Sequence, residues 1–244
     1  MTARLGSPGE FCWMDVKTRD LPGIAAFFAA TLGWHLTVDE EDPRRSTKIT
    51  TGDGHRVGGA SDLAHPLYSP KTPAHIAFYL AVDDVDRRTA TAVANGARLV
   101  VPPFDAGDQG RVATLVDPVG AAVSLWQPHR FSGWAFSPGA PGAPHRMVLT
   151  CRQPDRAREF YREVTGTDLV HADFLAGVPH ADLVEGGAAR WDVVVGVDDV
   201  ETVAARAHGR VAWSADGGRP ALRLAGPEGL TLRVVQLHHR LGDR

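Results

Sequence analysis

The stretch FCWMDVKTRDLPGIAAFFAATLGW (11–34) decides the fold. Its first eight residues, FCWMDVKT, read as a strand. After Arg19-Asp20, the apolar residues Leu21, Ile24, Phe28 and Leu32 recur at the spacing of one helix face. Gly33 then supplies the left-handed residue on which helices stop. A strand followed at once by an amphipathic helix is therefore the opening unit.

The same plan returns three times along the 244 residues, and a fixed internal repeat is the strongest single guide to architecture. HIAFYLAV (75–82) alternates cleanly and leads into VDDVDRRTATAVANG, which ends at Gly96. RMVLTC (146–151) precedes Pro154 at a helix start, with Phe160, Tyr161 and Val164 on one face and Gly166 as the stop. WDVVVGV (191–197) precedes DDVETVAARAHG, which ends at Gly209. Val82-Asp83-Asp84-Val85 matches Val197-Asp198-Asp199-Val200, and the turn Asp117-Pro118-Val119-Gly120 matches Gly226-Pro227-Glu228-Gly229. Each turn introduces a final strand. Two long repeats thus stand in tandem, 1–128 and 146–244, each holding two strand-helix-strands modules. HRFSGWAFSPGAPGAPH (129–145), rich in proline and glycine, is expected to be the linker between them.

Bulk properties narrow the function classes. With 43% hydrophobic and 23% charged residues, the chain has the makings of ordinary globular domains. Net charge is −3 with both signs interspersed, so neither nucleic acid nor a membrane surface is an expected partner. The opening MTARLGSPGEF has no charged segment followed by an apolar one, and no apolar run is long enough to cross a bilayer. A cytoplasmic protein, monomer or homodimer, is expected. Cys12 and Cys151 lie on separate predicted strands and are expected as buried free thiols.

The helix motif DLPGIAAFFAATLGW (20–34), the strand and turn HIAFYLAVDDV (75–85), and GRVATLVDPVGAAVSLWQP (110–128) together resemble the vicinal oxygen chelate superfamily. That superfamily includes glyoxalase I, bleomycin-resistance proteins, fosfomycin-resistance enzymes and extradiol dioxygenases. The segment GEFCWMDVKTRD especially resembles the tandem glyoxalase-like proteins of actinobacteria. The resemblance implies an α+β fold of four βαβββ modules, forming two curved-sheet glyoxalase-like domains with a ligand cavity in each concavity.

In the catalytic members of the superfamily a divalent metal is held by His or Gln and Glu. Carried across by spacing, the ligand positions of the first half fall on Trp13, Ala77 and Ser124. Those of the second half fall on Arg146, Asp192 and Arg233. Neither trio offers the N and O donors that a divalent ion needs. A two-residue slip would bring in His75, still without partners. No metal and no other cofactor is expected. Asp192 is instead expected to pair with Arg233, the alternative being an anion held by Arg146 and Arg233. His55, His65, His171, His180 and the tail pair His238-His239 lack ligand-like spacing.

Strand alternation assigns the cavity lining. Trp13, Asp15 and Lys17 share one face of the first strand. His75, Ala77, Tyr79 and Ala81 share one face of the second-module strand, and Ala122, Ser124 and Trp126 one face of the last strand of the first half. The candidate ligand-binding residues are Trp13, Tyr79, Ser124 and Trp126, and the candidate catalytic residues are Asp15 and His75. Trp13 and Trp126 either fill this cavity as core or wall it for a flat organic ligand. Asp15 is either a satisfied carboxylate, paired with Lys17 or a backbone amide, or a general base partnered by His75.

The leading functional expectation is metal-independent binding of a hydrophobic or aromatic small molecule, a natural product being the suggested kind. A cofactor-free enzyme using Asp15 and His75 is the alternative, a metal-dependent lyase, isomerase or dioxygenase a third, and a non-binding scaffold with filled cavities a fourth. Whether any reaction is catalysed stays open on the sequence.

Overall fold

The structure, a computed structural model, describes residues 4–40, 45–177, 189–216 and 219–237. His180 and His238-His239 fall outside the described residues. The chain opens with β1 (Phe11–Thr18), α1 (Leu21–Leu32), β2 (His35–Val38), β3 (Thr47–Thr50) and β4 (Arg56–Asp62). The same order follows in β5 (His75–Ala81), α2 (Val85–Ala94), β6 (Arg98–Asp105), β7 (Gly110–Val116) and β8 (Ala122–Pro128). Next come β9 (Pro144–Cys151), α3 (Pro154–Thr165) and β10 (Ala172–Ala176). The last stretch holds β11 (Arg190–Val197), α4 (Val200–Arg206), β12 (Val211–Asp216), β13 (Arg219–Ala225) and β14 (Thr231–Gln236), with a 3-10 turn at Pro227–Gly229.

This is an α+β fold with two mixed sheets. One runs β2-β3-β4-β1-β5-β8-β7-β6 and the other β10-β9-β11-β14-β13-β12. β5 lies parallel to β8, β9 to β10 and β11 to β14, while the remaining described pairings are antiparallel.

The helix signals work as local chemistry. The Asp20 carboxylate accepts from Gly23 N–H at 2.9 Å, capping α1 where Pro22 could not donate. Gly33 and Gly166 end α1 and α3 in the left-handed region, at φ 66° and 82°. α4 departs from expectation: it stops at Arg206 rather than running to Gly209. The Ala207 N–H already closes onto Val203 and Ala204, and His208 turns left-handed at φ 48°. β9 likewise starts two residues early, at Pro144, inside the stretch expected as linker.

Contacts gather the chain into two compact units. The first comprises Met1–Val16, Ile76–Ala135 and Arg146–Asp192, and the second Lys17–His75, Phe136–His145 and Val193–Arg244. Each draws on both halves of the sequence repeat.

In the first unit α2 packs with α3, and an aromatic core surrounds Trp191. Phe11 meets the Trp191 ring edge-on at 4.6 Å, with Tyr161 at 5.1 Å and Phe174 at 5.5 Å. A polar chain runs through this core. Trp191 Nε1–H donates to the Tyr161 hydroxyl at 2.7 Å, and that hydroxyl donates to Asp117 Oδ2 at 2.9 Å. Asp117 Oδ1 meanwhile accepts from the amides of Val119 and Ala121, at 3.0 and 2.8 Å. The 117–120 turn is thereby tied to α3 and β11. Elsewhere in this unit, buried Glu10 accepts through Oε1 from the amides of Val170 and His171, and burial pushes its carboxyl above the ordinary range.

In the second unit α1 buries Ile24 and Phe28, and the fully buried Trp34 ring meets Phe28 at 5.1 Å. Trp34 Nε1–H donates to the Gly142 carbonyl at 2.7 Å. The segment around Gly142 is laced to β11 by Gly142 N–H to Gly196 O and Gly196 N–H to Ala143 O, at 2.7 and 3.1 Å.

Two outcomes follow from the Asp117 chain. Tyr161→Phe leaves both Trp191 Nε1 and Asp117 Oδ2 short of a partner, and should cost about 1–3 kcal/mol in urea unfolding. Burial holds the Asp117 carboxyl above its ordinary value, outweighing the hydrogen bonds that pull it down. A folded-state value above the unfolded one favours the protonated fold. That contribution is full below about pH 4, the ordinary carboxyl range, and is lost as pH rises through the raised value. Unfolding free energies should therefore show the native protein gaining on Asp117→Asn as pH is lowered from neutral.

Candidate ligand-binding site

β1, β5 and β8 carry the residues singled out by alternation, and in the first unit they form an aromatic seat. Trp13 is 9% exposed, Trp126 6% and Ser124 4%, while Asp15 and Tyr79 are half-buried. Tyr79 lies directly across from Ser124 in the parallel β5–β8 register, and Ala81 across from Trp126. The Tyr79 ring meets Trp126 edge-on at 6.1 Å.

The seat has a member that alternation did not find. Phe131, just beyond β8, packs edge-on against Trp13 at 4.8 Å and against Trp126 at 6.1 Å. Trp126 Nε1–H donates to the Phe131 carbonyl at 2.9 Å, so the indole and the chain beyond it hold each other. Two glycines make this possible. A Cβ on Gly110 would stand 2.4 Å from Trp126 Cζ2. Gly133, at φ 93°, lets the chain pass so close to β1 that a Cβ there would lie 2.2 Å from the Cys12 carbonyl oxygen. Trp134 N–H then closes onto that same oxygen at 2.7 Å. The glycines of 129–145, read in sequence as linker composition, are the only signal that pointed to a close approach.

The polar candidates divide. Ser124 shares a 2.8 Å hydrogen bond with the Thr114 hydroxyl, its neighbour on β7. His75 belongs to the second unit, where its Nδ1 lies 2.9 Å from the Pro73 carbonyl oxygen. Lys17, also in that unit, donates to Ser61 Oγ and to the Tyr68 hydroxyl, both at 3.1 Å. Cys12 and Cys151 are free and buried, and burial raises both thiols above their ordinary values, which suppresses the nucleophilic thiolate.

The donor set does not fit a metal at the inherited first-half positions. Trp13 and Ala77 offer no ligand atom, and the Ser124 hydroxyl is already bonded to Thr114. Among the described residues no group of three or more His, Cys, Asp and Glu side chains is arranged to hold an ion. At the second-half positions, Arg146 makes a two-point pair with Asp173 at 2.7 and 2.6 Å, and buried Asp192 lies 3.4 Å from Arg190 Nε. Arg233 falls in the other unit, across from Arg223 in the β13–β14 register.

A recess of about 400 Å³ in the second unit is bordered by Leu32, Asp53, Gly142, Asp198 and Arg206. None of the sequence-selected residues lines it. Asp199 at its rim is spent on capping α4 through the amides of Glu201 and Thr202.

A relative over most of the chain settles the kinship. CFP32 of Mycobacterium tuberculosis, provisionally named a glyoxylase, is 31% identical over 221 residues, covering 84% of this chain and 82% of that protein. The chain belongs to the glyoxalase-like family of the vicinal oxygen chelate superfamily. The family model "Glyoxalase-like domain" matches residues 13–126 of this glyoxalase-like protein. The anthracycline biosynthesis protein DauV of a Streptomyces species is 28% identical, covering 82% of each chain. Among solved structures, the 2,3-dioxygenase LapB of Pseudomonas superposes with a TM-score of 0.60 at 14% identity, covering 94% of this chain and 92% of that one. The Mn(II)-bound glyoxalase of Novosphingobium aromaticivorans gives 0.56 at 16% identity, covering 93% and 82%. At such identities the superpositions speak for the fold alone.

Gly133→Ala tests how the seat is built. The added methyl must displace either Cys12 or the chain carrying Phe131, at a cost of about 1–3 kcal/mol. Tryptophan emission should shift to the red as Trp13 and Trp126 gain water.

Proposed function

We propose that this glyoxalase-like protein binds a flat aromatic small molecule without a metal, on the first-unit seat formed by Trp13, Asp15, Tyr79, Ser124, Trp126 and Phe131. The observation that carries this reading is the edge-to-face packing of Trp13, Phe131 and Trp126, with the half-exposed Tyr79 ring against Trp126. Rigid aromatic faces bury area at little entropic cost, and a few polar groups fix a ligand's orientation. The chemistry of the donor set supports metal independence, since tryptophan and alanine stand at two of the three inherited positions. Kinship with a protein of anthracycline biosynthesis supports a planar hydroxyquinone as the ligand class. An acid–base pairing of Asp15 with His75 is no part of this reading.

We also propose that the chain consists of two repeat halves, 1–128 and 146–244, joined by 129–145, with four βαβββ modules in all. The described element order supports this in the first, second and last stretches. In the third, residues 178–188 lie outside the described residues, and β10 is the strand described after α3.

Quinizarin, a planar hydroxyquinone, is the test ligand. It should quench tryptophan fluorescence saturably, and Trp126→Ala should weaken binding about tenfold, the worth of one aromatic contact near 1.4 kcal/mol. Quenching unaffected by Trp126→Ala would overturn the seat. Elemental analysis of the purified protein should give far less than one equivalent of Zn, Fe, Mn or Ni, and about one per chain would refute metal independence.

A further inference from the structure

Lys17 is a half-buried residue near the end of β1, and the function proposed above makes no use of it. Within the second unit its ammonium donates to Ser61 Oγ and to the Tyr68 hydroxyl, each at 3.1 Å, and sits 5.2 Å from the centre of the Tyr68 ring. An ammonium has donors and no acceptor, so the Tyr68 oxygen has to accept from it. The phenolic hydrogen must then point elsewhere, and among the described residues no protein group takes it. Tyr68 is half-buried, which leaves that hydrogen within reach of a small molecule.

The loop carrying Tyr68 is held in place. Arg19 grips it with two guanidinium bonds, to the carbonyls of Thr72 and Pro70, both at 2.8 Å. Arg19 is itself anchored, since its backbone N–H donates to Glu228 Oε2 at 3.0 Å and the neighbouring Thr18 hydroxyl donates to the same oxygen. Ala64 N–H closes onto Asp62 Oδ1 at 2.7 Å and Tyr68 N–H onto His65 O at 3.0 Å. Pro66, Pro70 and Pro73 remove further freedom from the loop. The result is an O–H donor fixed before any ligand arrives and polarised by the cation at its back. Such a donor favours an oxygen that bears negative charge.

We propose that Lys17 and Tyr68 form an oxyanion-binding site, which takes the phenolate or enolate oxygen of a small molecule through the Tyr68 O–H and the Lys17 charge. The proposal rests on the small-molecule reading of the chain. It does not depend on the aromatic seat, which belongs to the other unit.

The test uses para-nitrophenolate, whose visible band moves to the blue when its oxygen accepts a strong hydrogen bond. The full-length protein should bind the probe and shift its band. Tyr68→Phe keeps the ring over Lys17 and deletes only the donor, so it should abolish the shift and weaken binding about tenfold or more, the range for one hydrogen bond to a charged oxygen. Lys17→Met should weaken binding at least as much. Ser61→Ala, which spares the phenol, should keep the shift and shows that the loop tolerates a neighbouring change. No binding by the wild-type protein, or equal affinity and an equal band shift in Tyr68→Phe, would overturn the site. Failure here, with quinizarin still sensitive to Trp126→Ala, condemns this site and spares the aromatic seat. Loss of the quinizarin response, with Tyr68-dependent binding of the probe, does the reverse.

Discussion

Asp117 is buried, with only 4% of the residue exposed, and a carboxylate in that position must be given donors or it will oppose the fold. It receives two from its own turn and one from Tyr161, whose oxygen in turn takes the Trp191 N–H. The chain of bonds joins a hairpin turn, a helix and a strand that lie far apart in sequence. Around it stand the rings of Phe11, Phe160 and Phe174, which exclude the water that would otherwise compete. The first unit depends on this arrangement, because it fixes α3 and the start of β11 against the 117–120 turn.

The aromatic seat in the same unit obeys a different rule. Here Trp13 and Trp126 are nearly buried, and the interior beside them is closed by packing. Phe131 does much of the closing, and Gly110 and Gly133 give it and Trp126 the room. In the second unit the Lys17 ammonium instead meets the hydroxyls of Ser61 and Tyr68.

Much of the architecture was legible in the residues. FCWMDVKT, HIAFYLA and WDVVVGV are strands because alternation and β-branched content leave no other economical way to bury them, and Gly33 and Gly166 stop helices through their backbone freedom. Phe131 and Tyr68 were not legible as site residues. Both lie in irregular segments, where no period tells which way a side chain points. The partners of Ser124 were equally hidden: alternation placed its hydroxyl inward, but only the β7–β8 register brings Thr114 beside it.

By itself the sequence determined the local elements and the lack of a metal-donor set among Trp13, Ala77 and Ser124. Each of these follows from residue type and short-range spacing. Tertiary structure alone decided which stretches form compact units, since those units draw residues from both halves of the repeat. It also decided which oxygen meets which donor, as at Asp117 with Tyr161 and Tyr68 with Lys17. The physical reason is range. Strand period and helix capping act over a few residues, whereas a buried carboxylate or a fixed phenol is satisfied by groups that only the folded chain brings together.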